Sequence, residues 1–227
     1  MNWKHYFKAV FLLYVLTTQS LAANLESGFT ISSVPTHKKI VALTFDDGPK
    51  LKTTAKLLDT LNKKHIKATF FLTATNIKKY PELAQAIYED NHSIGNHGFN
   101  HERLSKKSTK EIIQLIANSQ LTFYEHLKMI PMYYRPPYGE YKKSQTKLLQ
   151  THFKHLVLWN IDPKDWSRGQ SKKKIINHII KNLKPGSIIL LHERDKTLKL
   201  LPLLVKKIKQ KGYSIVSLDT LLENKSH

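Results

Sequence analysis

Lys39-Ile40-Val41-Ala42-Leu43-Thr44-Phe45-Asp46-Asp47-Gly48-Pro49 is the stretch on which the reading of this chain turns. Residues 39–45 form a short apolar run of the kind a strand buried on both faces shows. Two carboxylates follow at once, and then a Gly-Pro turn. Adjacent residues of an extended segment point in opposite directions, so Asp46 and Asp47 can serve different partners, one a metal and the other a proton. Alone, the pair would read more readily as a polar turn.

Working outward, strand and helix patterns alternate. Residues 53–64 place Leu57, Leu58 and Leu61 on one helical face, and 68–72 form the next strand. Pro81 opens a short helix, in the position where its missing N–H costs nothing. Residues 93–95 are a short strand. A longer helix starts near Thr109, with Ile112, Ile113, Leu115, Ile116 and Leu121 as its apolar face. Strands are expected at 133–135, 155–161, 187–191 and 213–217, and helices over 175–183 and 200–211. This βα repeat predicts a mostly parallel sheet.

Each strand end carries a chemical motif: His97-Gly98-Phe99-Asn100-His101, Arg135-Pro136-Pro137-Tyr138-Gly139, Asp162-Pro163-Lys164-Asp165-Trp166 and Leu190-Leu191-His192. In a (β/α) barrel that is the face on which catalytic residues collect. His97 and His101 have the spacing of one helical turn, which would bring both rings to one face. With a carboxylate they make a two-His, one-Asp donor set that leaves positions open. Nine other histidines, His5, His37, His65, His92, His126, His152, His155, His178 and His227, read as surface residues. No Gly-x-Ser-x-Gly elbow, phosphate loop or nucleotide fingerprint is present, which disfavours serine hydrolases and nucleotide-dependent enzymes. Cysteine is absent, which removes thiol nucleophiles, thiolate metal sites and disulfides.

Composition bounds the rest. At 227 residues with 41% hydrophobic side chains, one well-buried domain is the natural reading. Lys4, His5 and Lys8 precede an apolar run, 9–16, and Ser20-Leu21-Ala22 supplies small residues for cleavage after Ala22 or Ala23, the pattern of an export signal. The run is too short to span a bilayer, which takes about 20 residues. The expected organisation is a signal over 1–23, a polar connector over 24–38, a catalytic domain over 39–222 and a tail over 223–227. The location expected is exported, periplasmic or secreted and associated with the cell wall. Of the 37 basic side chains two lie in residues 1–23 and none of the 17 acidic ones does, so about +18 of the formal +20 charge remains after cleavage. For an exported protein that excess suits anionic envelope polymers rather than nucleic acid. A monomer is expected.

On these five motifs, in this order, the chain closely resembles the polysaccharide deacetylase family (carbohydrate esterase family 4, the NodB-like domain), from about Lys39 to Leu222. The resemblance implies a distorted (β/α) barrel with fewer than eight repeats and mostly parallel strands. It implies hydrolytic removal of N-acetyl groups from an acetylated polysaccharide: peptidoglycan, a chitin-like polymer or poly-N-acetylglucosamine. By the same resemblance Asp47, His97 and His101 would hold a divalent metal, zinc first, with cobalt, nickel or manganese compatible. Asp46 would be the general base, held by Arg135. His192 would be the general acid, oriented by Asp165. The backbone N–H of Tyr138 would stabilise the oxyanion, and Trp166 and Leu190 would line the acetyl pocket. Two departures stand out: Gly98 replaces the usual Ser or Thr, leaving the support of that loop open, and Glu193 stands where Asp is commoner. The rival readings are a catalytically silent carbohydrate-binding protein on the same fold and an exported polyanion-binding protein.

Overall fold

The run that opens at Ile40 forms the longest strand, β2 (Ile40–Gly48), and the sheet is built around it. The computed structural model describes residues 28–226, so the signal read over 1–23 lies outside the described residues. The strands are β1 (Thr30–Ile31), β2, β3 (Thr69–Leu72), β4 (Ser93–Asn96), β5 (Tyr133–Tyr134), β6 (His155–Val157), β7 (Ile188–His192) and β8 (Ser214–Val216). They pair in parallel in the order β1-β6-β5-β4-β3-β2-β7, with β8 joining the start of β2. Across the gap to β7 there are two isolated bridges rather than a ladder, antiparallel between Ser33 and Ser187 and parallel between Ile161 and Ile189. The result is a curled, mostly parallel α/β sheet that is not laddered all the way round.

The helices are α1 (Thr54–Lys63), α2 (Ala74–Lys79), α3 (Pro81–Glu89), α4 (Thr109–Leu127), α5 (Thr146–Gln150), α6 (Lys172–Asn182), α7 (Asp195–Gln210) and α8 (Leu218–Glu223). Their apolar faces cover the sheet: Leu57, Leu58 and Leu61 of α1, Ile175, Ile176 and Ile179 of α6, and Leu200, Leu201, Leu204 and Ile208 of α7 share one cluster with Leu43, Phe45, Phe70 and Leu191. Each such side chain contributes roughly 1.5–3 kcal/mol by leaving water. None of the described helices is long and apolar enough to cross a membrane.

Several local expectations change. Helix α4 buries Ile112, Ile116, Ser119, Phe123 and Leu127, whereas Ile113 and Leu121 point outward; the true face steps by three and four from Ile112. Within the segment read as a connector, residues 30–31 pair with β6, and Val34 is buried, its N–H donating to the Gly186 carbonyl at 2.9 Å. The strand expected over 155–161 ends at Val157. His92 is buried rather than on the surface: its Nδ1 accepts the Ala68 N–H at 3.1 Å, and burial pushes the ring down to about 4.

Candidate active site

Parallel register brings the motifs together. Asp46 on β2 lies opposite His192 on β7, and Asn96 on β4 lies opposite Tyr134 on β5, so His97 and Arg135 emerge side by side. The Arg135 N–H donates to the Asn96 carbonyl at 2.9 Å, and the His97 N–H to that of Leu72 at 2.8 Å.

A register shift between Asp46 and Gly48 does what a regular strand could not. Asp47 takes the left-handed conformation, φ 69°, and the extra residue re-aims its side chain. Both carboxylates therefore converge on one histidine: His97 Nε2 lies 3.6 Å from Asp46 Oδ2 and 3.6 Å from Asp47 Oδ1. Their partners still differ. Asp46 Oδ1 accepts from Arg135 Nη1 at 2.7 Å, while Asp47 Oδ1 is buried without any hydrogen-bond partner.

The histidine pair is assembled by a loop and not by the helical turn its spacing suggested. His97 follows β4, and His101 sits at φ 69° in a bend. His101 Nε2 lies 3.3 Å from Asp47 Oδ1, and the two rings meet edge-on at 5.0 Å. Gly98, at φ 83°, donates its N–H to Asn96 Oδ1 at 2.8 Å, and Ser119 Oγ of α4 donates to the same oxygen at 3.0 Å. Asn96 thus supplies the loop support that the missing Ser or Thr left open.

Arg135 is fully buried, and each of its three side-chain nitrogens donates. Nε donates to the Val157 carbonyl at 3.1 Å, Nη2 to that of Leu158 at 3.0 Å, and Nη1 to Thr44 Oγ1 at 2.7 Å as well as to Asp46. Its guanidinium also stacks over Phe71 at 3.9 Å. A buried charge survives only when paired and hydrogen-bonded like this. Thr44, which passes its own proton to the Ile189 carbonyl at 2.8 Å, escaped the sequence reading because a threonine inside a strand gives no signal.

On the far wall, His192 Nδ1 is 2.8 Å from Asp165 Oδ1. Asp165 Oδ2 accepts the His192 N–H at 2.9 Å and the Thr197 hydroxyl at 2.6 Å. The carboxylate fixes the ring with Nδ1 protonated, which leaves Nε2 for the cavity. Burial works against the charged ring, but the Asp165 hydrogen bond and the charges of Asp46, Asp165 and Asp47 outweigh it and raise His192 above the ordinary histidine range. For Asp47, burial works against ionisation, and His97, Lys50, His192 and His101 overcome it, holding the carboxyl below its usual range. For His97, burial outweighs the opposing pull of Asp46 and Asp47 and lowers the ring below the ordinary histidine range.

Asp46, Asp47, His97, His101 and His192 line a cavity of about 330 Å³ together with Tyr138, Trp159, Asp162, Trp166, Leu190 and Arg194, while Arg135 and Asp165 hold Asp46 and His192 from behind. All ten residues singled out from the sequence therefore gather at one end of the sheet. Tyr138 stands at φ 62°, its ring between the His101 ring at 4.5 Å and the Arg103 guanidinium at 3.7 Å. Its backbone N–H has no acceptor among the described residues. Trp159 and Asp162 join the wall unforeseen; Asp162 lay inside a quoted motif but carried no assignment.

Asp47, His97 and His101 offer ligand atoms that all lie within 4.8 Å of one another. The set fits a divalent cation on three grounds. Two imidazoles and a carboxylate suit such an ion. The orphaned Asp47 Oδ1 is aimed into the cluster. His97 Nδ1 donates to the Arg135 carbonyl at 2.8 Å, which presents Nε2 as the ligand atom.

Known proteins resemble this chain in sequence and fold. The family model described as polysaccharide deacetylase matches residues 33–153. A peptidoglycan-N-acetylglucosamine deacetylase of Bacillus cereus is 35% identical over 84% of this chain and 71% of its own. The peptidoglycan-N-acetylmuramic acid deacetylase PdaC of Bacillus subtilis is 32% identical over 85% of this chain and 41% of its own. A crystallised peptidoglycan N-acetylglucosamine deacetylase, in complex with a naphthyl-substituted N-hydroxybenzamide, superposes with a TM-score of 0.83 at 33% identity, covering 90% of this chain and 98% of that one. Sequence and fold agree, and the chain belongs to the polysaccharide deacetylase family, as a hydrolase of that class.

Proposed function

We propose that this enzyme removes N-acetyl groups from the glycan strand of peptidoglycan, with Asp46 as general base, His192 as general acid and Asp47, His97 and His101 as ligands of a divalent metal, zinc first. The observation that carries the reading is the division of labour between neighbouring carboxylates, Asp46 wired to Arg135 and Asp47 left with a bare oxygen among histidines. The substrate class comes from the similar proteins, which act on peptidoglycan by name.

An amide carbonyl is a poor electrophile and an amine a poor leaving group, so the reaction needs activation at both ends. When bound, the metal supplies Lewis-acid polarisation of the carbonyl and lowers the pKa of water. Asp46, held by Arg135 Nη1, takes a proton from the attacking water. As the C–O bond forms, negative charge collects on the carbonyl oxygen, and the Tyr138 N–H is free to donate to it. His192, protonated and held through Nδ1, gives the Nε2 proton to the departing nitrogen. The C–N bond then breaks, acetate leaves and the amine stays on the sugar. Trp166 and the buried Leu190 make the apolar wall against which the acetyl methyl lies.

The signal-like residues 1–23 and the basic charge support action outside the cytoplasm, periplasmic or at the wall. Acetate release from peptidoglycan and chito-oligosaccharides, by the purified enzyme before and after chelation and zinc return, tests the reading. Zinc-restored release that Asp46→Asn abolishes is the expected result. Bound metal with no acetate from any acetylated polymer would leave a silent carbohydrate-binding or polyanion-binding protein.

A further inference from the structure

Trp166 and Arg194 line the catalytic cavity on one side and a second, wider groove of about 800 Å³ on the other. Six cations border that groove: Lys50 and Lys52 before α1, Lys79 at the end of α2, Arg168 after Trp166, and Arg194 and Lys196 at the start of α7. Three acids share it, but Asp165 is buried and bound to His192, and Glu193 is buried beneath Thr54, so only Asp195 is exposed. Lys52, Arg168 and Arg194 have no counter-ion among the described residues. Most exposed cations elsewhere also lack one, Lys63 with Asp59, Lys107 with Glu111 and Arg103 with Glu140 being among the few that pair, so the missing counter-ions do not by themselves mark the groove.

A basic protein carries many solvated lysines, and charge alone would not make a site. Two other features set this groove apart. The N-termini of α1 and α7 both open into it, with no acid in the first turn of α1 and no side chain capping either helix. Its floor also presents apolar surface on Leu51, Trp166 and Tyr80, and Leu51 is 66% exposed. Cations around exposed apolar and aromatic surface suit an anionic sugar derivative better than a bare ion.

We propose that this groove binds a carboxylate carried by the polymer next to the sugar being deacetylated, so that the enzyme selects a carboxylated glycan strand over a neutral one. Peptidoglycan has such groups, on its lactyl ethers and the peptides attached to them; a chitin-like chain has none. The inference rests on the deacetylase reading and adds the feature by which it distinguishes among acetylated polymers.

The test combines Lys52→Gln, Lys79→Gln and Arg168→Gln, exposed positions outside the catalytic cavity. On peptide-bearing glycan strands at low salt, kcat/KM should fall about tenfold, through KM, and lose most of its salt dependence. On neutral chito-oligosaccharides it should stay within about twofold. Equal change on both polymers, or none on either, overturns the proposal. Strands stripped of their peptides keep only the lactyl carboxylate and tell the two carboxylates apart. A phosphodiester wall polymer that competes at the groove, where carboxylated strands are indifferent to the three substitutions, also overturns it. Should the wild-type protein release no acetate from any polymer, the deacetylase reading fails separately. Binding of carboxylated strands to the metal-loaded Asp46→Asn protein, with and without the three substitutions, then decides the groove: weakened binding supports it, and unchanged binding overturns it.

Discussion

At the end of the sheet where the strands begin, Asp219 of α8 accepts from both the Ser93 hydroxyl and the Tyr133 phenol, and His155 Nδ1 lies 3.1 Å from the Gly28 carbonyl. At the end where they finish, buried polar atoms are left over: Asp47 Oδ1, Thr73 Oγ1, Asn96 Nδ2 and Glu193 Oε1 have no partner. Among the described residues the only other buried side-chain atom in that condition is His92 Nε2, at the opposite end. An unpaired buried polar atom costs about 1–3 kcal/mol. One end therefore spends its polar groups on holding the sheet, and the other keeps several in reserve for something that arrives later. The Arg135 lattice at the catalytic end, with all three side-chain nitrogens donating, is the scaffold that makes this reserve tolerable.

If that division is right, substitutions at the two ends should separate activity from stability. The largest effect belongs to Asp46→Asn, which keeps an acceptor for Arg135 but removes the base: kcat should fall on the order of a thousandfold with the metal still bound. The buried Arg135 charge is then less well compensated, so the melting temperature should also drop. Next comes His192→Ala, with kcat down on the order of a hundredfold and metal content unchanged. A metal-free protein in either case would mean that base, acid and ligands are not separable as drawn. At the other end, Asp219→Ala strands a buried serine and a buried tyrosine and should cost about 2–3 kcal/mol in denaturant unfolding, with kcat/KM per folded molecule unchanged. A large kinetic effect there would erase the contrast between the two ends.

The sequence made the catalytic end more legible than the structural one. Each motif pairs an unusual polar group with the end of an apolar run, so position along the chain already implied position in space, and parallel register did the rest. What it concealed was conformation within the motifs. The four-residue spacing of His97 and His101 suggests a helix, yet a loop hung on Asn96 and Ser119 does the work. The adjacency of Asp46 and Asp47 suggests divergence, yet a bulge turns them toward one ring. Elements too short to show a period also escaped. Helix α2 has only six residues, β1 has two, and α8 follows a strand so closely that its Leu218 and Leu221 look like the strand's continuation. His92 had no marker at all, because a histidine that accepts one backbone N–H looks like any other.

Glu193 offers the smallest and finest probe of the reserve at the catalytic end. It sits directly after His192, buried, with Oε2 accepting the Thr54 hydroxyl and Oε1 unpaired beside Gly48, where a side chain would collide with it. Burial raises its carboxyl from 4.5 to about 7, against the opposing pull of Thr54 and Lys50. The folded state therefore holds this proton after the unfolded chain has lost it, and stability from Glu193 is complete below pH 4.5 and fades as pH rises toward 7. At about 1.4 kcal/mol per pKa unit, the metal-free protein should lose on the order of 2 kcal/mol from this group between about pH 5 and pH 7. Glu193→Gln removes the titrating proton and should flatten unfolding free energy across that window, leaving the slope below it unchanged. An identical pH profile in the two proteins would mean that Glu193 is ionised throughout, with a cation or water satisfying Oε1. In that event the catalytic end would hold one fewer polar group in reserve, and Asp47 Oδ1 would stand out more sharply as the oxygen kept for the metal.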